Sequence, residues 1–125
     1  IGRVQLRRFE KEFAVSRKYI AKKYTRLLKN NMNIKLIDMD YDNIVPHIFP
    51  ILVQGGLRDH LFDKLKDIGV QCGMHYKPNH LLTKYKTSYS LSVTEKAYNQ
   101  VLTLPLHPEI TEESVNKICS LINYK

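Results

Sequence analysis

The sequence lacks several motifs that would identify a function directly. Its 125 residues contain no phosphate-binding P-loop, no GxGxxG fingerprint and no GxSxG nucleophile elbow. No apolar run approaches the ~20 residues that a membrane-spanning helix needs, and the first residues contain no apolar signal-peptide core. We therefore expect a globular chain that has no membrane partner and carries no complete catalytic constellation.

Cysteine is also scarce. Cys72 and Cys119 are the only two cysteines, and each lies in an apolar pattern. We expect buried free thiols rather than a disulfide, which favours a reducing, cytoplasmic location. Two widely spaced cysteines and five histidines without HxxxH-like spacing predict no metal site.

Basic residues exceed acidic ones, and the formal net charge is +8. Half of the lysines and arginines lie in the first thirty residues. Such a charge attracts nucleic acids or anionic small molecules. Because no aromatic or glycine-rich RNA signature accompanies it, we interpret it mainly as the solvated face of a helix and expect no nucleic-acid partner.

Apolar residues at steps of three and four predict one long amphipathic helix over about residues 4–29. At 1.5 Å per residue this helix is about 38 Å long. A compact domain of this size has a radius of gyration of only ~14 Å. We therefore expect one end of the helix to pack against protein outside the domain.

The rest of the chain alternates strand and helix patterns, with glycine or proline between them. Pro46 and Pro50 cannot donate to a ladder, so they predict that the second strand is an edge or bulged strand. This order of elements predicts an α/β domain (α+β, two layers), with a small, mostly antiparallel sheet and packed helices. The predicted strands are 33–40, 45–54, 70–74 and a short one at 101–104, and the predicted helices are 57–67, 94–100 and one from Thr111 to Asn123.

Two histidines are the best candidates for binding a ligand. His47 and His75 each lie in a strand-like segment, where the period of two could place both imidazoles on one face or edge of the sheet. Tyr76 and Lys77 add a hydroxyl and a cation, a combination that suits an anionic or polyhydroxylated ligand. Ordinary polarity at a sheet edge is the other interpretation.

Several segments resemble one known family. Residues 69–78, GVQCGMHYKP, are similar to the Gly-(Ile/Val)-x-x-x-x-His-Tyr-x-Pro segment of the DegT/DnrJ/EryC1/StrS sugar aminotransferases. Residues 91–97, LSVTEKA, and 101–108, VLTLPLHP, resemble that family's LPVTE and VLSLPLHP runs, although Ser92 replaces the usual proline. The segments IGRVQL and HIFPI also resemble family segments, so the resemblance covers the whole chain in order.

Family members are longer enzymes that depend on pyridoxal 5'-phosphate (PLP). The resemblance implies that residues 1–125 form a single C-terminal small domain, and that the helix at about 4–29 links it to a missing large domain. The Schiff-base lysine and the PLP ligands would lie in that missing domain. The resemblance therefore implies no catalytic, cofactor-binding or metal-binding residue in this chain, which would be inactive alone. It also implies that His75 and Tyr76 face the substrate, and it supports His47 more weakly.

The function implied by this resemblance is amino transfer, usually from glutamate, to a keto-sugar nucleotide in polysaccharide or glycan precursor synthesis. The resemblance further implies a cytoplasmic homodimer. Two other interpretations remain open at this point. One is a stand-alone basic module that binds RNA, and the other is a regulatory or dimerisation domain without a ligand of its own.

Overall fold

The computed structural model describes residues 2–124, which form a three-stranded antiparallel sheet with helices packed on it. This confirms the predicted class. The strand order is β1-β2-β3. None of the helices between residues 2 and 124 is long and apolar enough to cross a membrane. The strands are β1 (Ile34–Leu36), β2 (Phe49–Val53) and β3 (Val101–Leu104), and the α-helices are α1 (Gly2–Arg8), α2 (Ala14–Leu28), α3 (Arg58–Asp67), α4 (Ser92–Gln100) and α5 (Glu112–Asn123).

The predicted long helix is present as one continuous helical run, in which a π-helical turn at Phe9–Phe13 joins α1 to α2. Neither α1 nor this turn buries a residue, and Ala14 is the first buried side chain. Leu6 is 73% exposed although it belongs to the apolar stripe. The N-terminal half of the run therefore extends beyond the core, and its packing against protein outside the domain stays a prediction.

The core lies between the sheet and the helices α2 and α5. In the β2–β3 register Phe49 lies opposite Leu104 and Ile51 opposite Leu102, and all four are buried. Tyr24 of α2 stacks on Phe49 with 5.0 Å between the ring centroids, and its hydroxyl donates to the Pro105 carbonyl at 3.2 Å. Burial also raises the pKa of Tyr24 above its ordinary value.

The prediction that the second strand is an edge or bulged strand was wrong, because β2 is the central strand and its register is unbroken. Pro50 lies opposite Thr103, whose backbone N–H and carbonyl both bond to Gly73 on the far side of β3. This pair is therefore the non-hydrogen-bonded kind, and the Pro50 nitrogen faces away from β3. The Pro50 nitrogen faces β1 instead. The last pair between β1 and β2 is Leu36 with Ile51, so Pro50 lies beyond that ladder and interrupts no hydrogen bond.

The strand predicted at 70–74 is reduced to one antiparallel bridge, between Gly73 and Thr103, at the outer edge of β3. Before it, Gly69 ends α3 with φ of +80°, and the N–H of Val70 bonds to the Leu65 carbonyl at 2.9 Å. Val70 and Cys72 are half-buried against the core, so this segment lies beside the sheet without extending it.

Both cysteines are free thiols, as predicted. Cys119 is buried and Cys72 is half-buried, and burial raises the pKa of each thiol to about 11. Each is therefore a protonated, unreactive thiol at neutral pH.

The predicted start of the last helix is confirmed. Thr111 is the N-cap residue of α5, and its side-chain oxygen accepts from the backbone N–H of Ser114 at 3.2 Å. In the first turn, Glu112 accepts hydrogen bonds from the Lys23 ammonium and the Tyr19 hydroxyl of α2. Both bonds lower the pKa of Glu112, and the bond from Lys23 has the larger effect.

Replacing Glu112 by Gln should lower the free energy of unfolding at pH 7, because Lys23 is only 6% exposed and would lose its carboxylate. The folded-state pKa of Glu112 lies below its ordinary 4.5, so this stabilisation is present above pH 4.5 and is lost as the pH falls through the lowered value. Urea unfolding of both proteins from pH 7 to pH 3 should show a difference that closes in acid. Glu113→Gln removes the same charge from the same turn and is the control. A difference that does not change with pH would contradict this assignment.

Candidate functional site

Two adjoining clefts lie around His47. The larger, which we call the N-terminal groove, has a volume of about 910 Å³ and runs between the N-terminal helical run and residues 45–47 and 107–109. The smaller, which we call the histidine cleft, has a volume of about 280 Å³ and is lined by residues 47–48, 71–73, 75 and 103–106. His47 lines both clefts, whereas His75 lines the histidine cleft.

His47 is positioned through its backbone. The Arg17 guanidinium of α2 donates through Nη1 to the carbonyl oxygens of Pro46, at 3.3 Å, and of His47, at 3.0 Å. Pro46 is buried while the side chain of His47 is exposed. The long helix thus fixes the chain just before β2 and leaves the imidazole available to a ligand.

His75 is positioned by the glycine two residues before it. A Cβ atom at Gly73 would lie 2.9 Å from the Nδ1 atom of His75, 3.0 Å from its Nε2 and closer still to its Cε1. The imidazole therefore occupies the space of the missing Gly73 side chain. Gly73 is held in turn by two backbone hydrogen bonds to Thr103, at 3.1 and 2.7 Å.

Tyr76 lies against His75 but outside the histidine cleft. Its ring packs edge-on to the imidazole with 4.8 Å between the centroids, and the residue is 71% exposed. The peptide bond between the two residues is cis. The structure thus brings His47 and His75 to one cleft and places Tyr76 at its outer side, while their contact with a substrate stays a prediction.

Three positioning residues escaped the sequence analysis. In the sequence, Arg17 is one of many charges on a basic helix, and Thr103 is an ordinary strand residue. His80 lies in the loop after the cleft, where its Nε2 is 3.0 Å from Glu95 Oε1, an atom that also accepts from the Leu91 N–H. These two bonds lower the pKa of Glu95 and tie the loop to the start of α4. Only the spacing of residues in three dimensions reveals these roles.

Both clefts offer hydrogen-bonding groups, and the N-terminal groove adds charged side chains such as Arg8, Glu12 and Glu109. The imidazole nitrogens of the histidine cleft can donate to and accept from hydroxyl and phosphate oxygens, and Tyr76, which packs against His75 outside the cleft, carries a hydroxyl with the same capacity. Among the described residues, no lysine lines either cleft. Within residues 2–124 no group of three or more histidine, cysteine or carboxylate side chains is placed to hold a metal ion.

Gly73→Ala should destabilise the protein by about 1–3 kcal/mol, the usual range for an added methyl group in a closely packed site. The reason is that the methyl group would displace the His75 imidazole. In a His75→Ala background the same substitution should lose most of its effect, because the ring that it meets is gone. Urea unfolding of the four proteins measures this coupling.

The control for this cycle is Gly2→Ala, which adds the same methyl group where, apart from its chain neighbours, no described residue lies within 4 Å. We expect Gly2→Ala to leave the free energy of unfolding nearly unchanged. An equal loss from Gly73→Ala in both backgrounds would show that the imidazole does not occupy the glycine's side-chain space.

Comparison with protein families gives a match over nearly the whole chain. The model of the DegT/DnrJ/EryC1/StrS aminotransferase family matches residues 1–123. These residues include both clefts and the 69–78, 91–97 and 101–108 segments that carry the resemblance.

Two curated proteins illustrate the relationship. A 3-oxo-glucose-6-phosphate:glutamate aminotransferase of Bacillus subtilis is 34% identical over 112 residues, which cover 82% of this chain and 25% of that protein. A UDP-4-amino-4-deoxy-L-arabinose--oxoglutarate aminotransferase of Shewanella sediminis is 30% identical over 81 residues, which cover 58% of this chain and 21% of that protein. The chain thus spans about a quarter of the length of the curated relatives that it matches.

Solved structures give the same result. The aminotransferase TlmJ of Streptoalloteichus hindustanus superposes with a TM-score of 0.84 at 26% identity, covering 98% of this chain and 34% of TlmJ. A DegT DnrJ EryC1 StrS aminotransferase of Brucella abortus superposes with a TM-score of 0.81 at 29% identity, covering 94% of this chain and 32% of the Brucella protein. The PLP form of a sugar aminotransferase of Streptococcus pneumoniae, described as putative, superposes with a TM-score of 0.83 at 27% identity, covering 98% and 33%.

Proposed function

This chain belongs to the DegT/DnrJ/EryC1/StrS aminotransferase family, and we propose that it is the C-terminal domain of a PLP-dependent nucleotide-sugar aminotransferase. The observation that carries the proposal is a family match over residues 1–123 in a chain that spans only 25% of its Bacillus subtilis relative. In the intact enzyme this domain closes over the substrate, while a preceding large domain binds PLP. The domain alone is inactive.

The described residues do not fit PLP by themselves. The family's enzymes depend on this cofactor, which supplies the electron sink for amino transfer and is held through a lysine. No lysine between residues 2 and 124 lines either cleft, and the buried Lys23 is paired with Glu112. The proposal therefore places the cofactor and its lysine in the preceding domain, and no chemical step is assigned to residues 2–124.

The proposed amino donor is glutamate, and the proposed acceptor is a keto sugar that carries phosphate. The Bacillus subtilis relative is named for glutamate and a sugar phosphate, and the Shewanella sediminis relative for a UDP sugar. Sugar hydroxyls and phosphate oxygens suit the histidine cleft, whose imidazoles can both donate and accept. We assign substrate contacts to His75 and Tyr76, and a weaker one to His47.

The basic N-terminal helix supports RNA binding poorly. Lys22 and Lys23 are paired with the carboxylates of Asp42 and Glu112, and Lys18 donates to the Asp42 carbonyl at 2.7 Å. These ammonium groups hold α2 against the rest of the domain, so part of the charge has a structural use. A cytoplasmic homodimer is part of the proposal, by analogy with the family.

The cofactor assignment predicts different behaviour for two proteins. The full-length gene product should retain PLP through gel filtration, as measured by its visible absorbance, because the cofactor site is in the preceding domain. The 125-residue chain should retain none. Stoichiometric retention by the short chain, or a gene that encodes no preceding domain, would refute the proposal.

The substrate assignment predicts that His75→Ala and Tyr76→Phe in the full-length enzyme each raise KM for the keto-sugar substrate about tenfold, the effect of one lost hydrogen bond. The half-reaction with glutamate should keep its rate. Steady-state kinetics with a keto-sugar nucleotide and with the matching keto-sugar phosphate would also separate these two classes of acceptor.

His60→Ala is the matched control for these variants, because His60 is exposed on α3 and lines neither cleft. It should leave both half-reactions unchanged. An unaltered keto-sugar KM in both the His75 and the Tyr76 variants would remove these residues from the substrate site.

A further inference from the structure

Two buried polar atoms on one face of the sheet have no hydrogen-bond partner within the part of the chain that the structure describes. They are the Oγ1 atom of Thr103 and the Nδ1 atom of His75, and both are closed to water. Thr103 as a whole is only 6% exposed. Native proteins rarely leave buried polar atoms unpaired, so each atom needs a partner from its surroundings.

The backbone geometry makes each atom the natural partner of the other. Gly73 and Thr103 exchange both of their backbone hydrogen bonds, so they lie directly opposite each other in an antiparallel pair. The side-chain positions of such a pair lie on the same face, about 5 Å apart. The His75 imidazole fills the Gly73 side-chain position, with its Nδ1 2.9 Å from where a Cβ atom would be. The ring is therefore the neighbour of the Thr103 side chain.

The two atoms do not bond to each other in the observed side-chain conformations, so a bond between them requires rotation about single bonds. Rotation about χ1 of Thr103 moves its hydroxyl among three staggered positions, and rotation about χ2 of His75 turns Nδ1 within the same space. Neither movement changes the backbone. Because water does not reach either atom, a direct bond satisfies both without a bridging molecule.

We propose that Thr103 is a positioning residue whose hydroxyl donates a hydrogen bond to Nδ1 of His75. A neutral imidazole carries one N–H group, so acceptance at Nδ1 leaves the hydrogen on Nε2. Nε2 is not among the buried unpartnered atoms, and His75 lines the histidine cleft. His75 then acts as a fixed donor toward an acceptor oxygen of the substrate, a hydroxyl, carbonyl or phosphate oxygen. This role rests on the proposed function, whereas the hydrogen bond itself does not.

The hydrogen bond is tested first by thermal unfolding of the 125-residue chain. Thr103→Val removes the hydroxyl and keeps the shape. We expect it to lower the melting temperature in the native sequence but not in a His75→Ala background, where the hydroxyl has no partner to lose. Thr103→Ser keeps the hydroxyl and should preserve the coupling to His75. An equal change from Thr103→Val in both backgrounds would overturn the inference.

The functional consequence is tested in the full-length enzyme. Thr103→Val should raise KM for the keto-sugar substrate about tenfold and leave the glutamate half-reaction unchanged, and Thr103→Ser should restore KM. His75→Gln places an amide N–H near the Nε2 position, so Thr103→Val should add nothing in that background. An active enzyme whose KM is unaffected by Thr103→Val would overturn the positioning role. A full-length protein without aminotransferase activity would refute the proposed function, and the unfolding experiment would still decide the hydrogen bond.

Discussion

The register between β2 and β3 is the constraint on which the rest of the domain depends. It places Phe49, Ile51, Leu102 and Leu104 on the face that packs against the helices, and Pro50 and Thr103 on the other. A slip of one residue would reverse both faces. The same register sets the histidine cleft, because β2 begins just after His47 and the outer edge of β3 pairs with Gly73. Core and site therefore share one determinant.

Helix α2 supplies the second part of the arrangement. Its apolar side holds the core through Tyr24, while Arg17 fixes the backbone at His47 and Lys23 binds Glu112 at the start of α5. The helical run also extends beyond the core on its N-terminal side, as a segment without buried residues beside the N-terminal groove. A domain built in this way has its cleft held by contacts from α2 and leaves a long surface exposed at one end, consistent with the proposal that a larger domain precedes it.

The sequence predicted the elements well where the local pattern decides them. The helical run, Gly69 after α3 and the Thr111 cap follow from periodicity, φ preference and capping chemistry. The sequence-based prediction failed where the pairing between strands decides the structure. The central place of β2 depends on which side of Pro50 carries ladder bonds, and the 70–74 segment forms only one bridge, at a glycine whose side-chain space the His75 ring fills. His47 and His75 were found as polar residues in strand-like segments, whereas Thr103 emerges only from an unpaired hydroxyl in the fold.

The central claim is that this domain presents His75 to the substrate of a sugar aminotransferase whose cofactor lies in another domain. A crystal structure of the full-length protein with its keto-sugar substrate bound tests this claim most directly. The account predicts a substrate oxygen within hydrogen-bond distance of Nε2 of His75, with PLP held by residues that precede this chain. A substrate bound away from the histidine cleft, or PLP bound within residues 2–124, would contradict it.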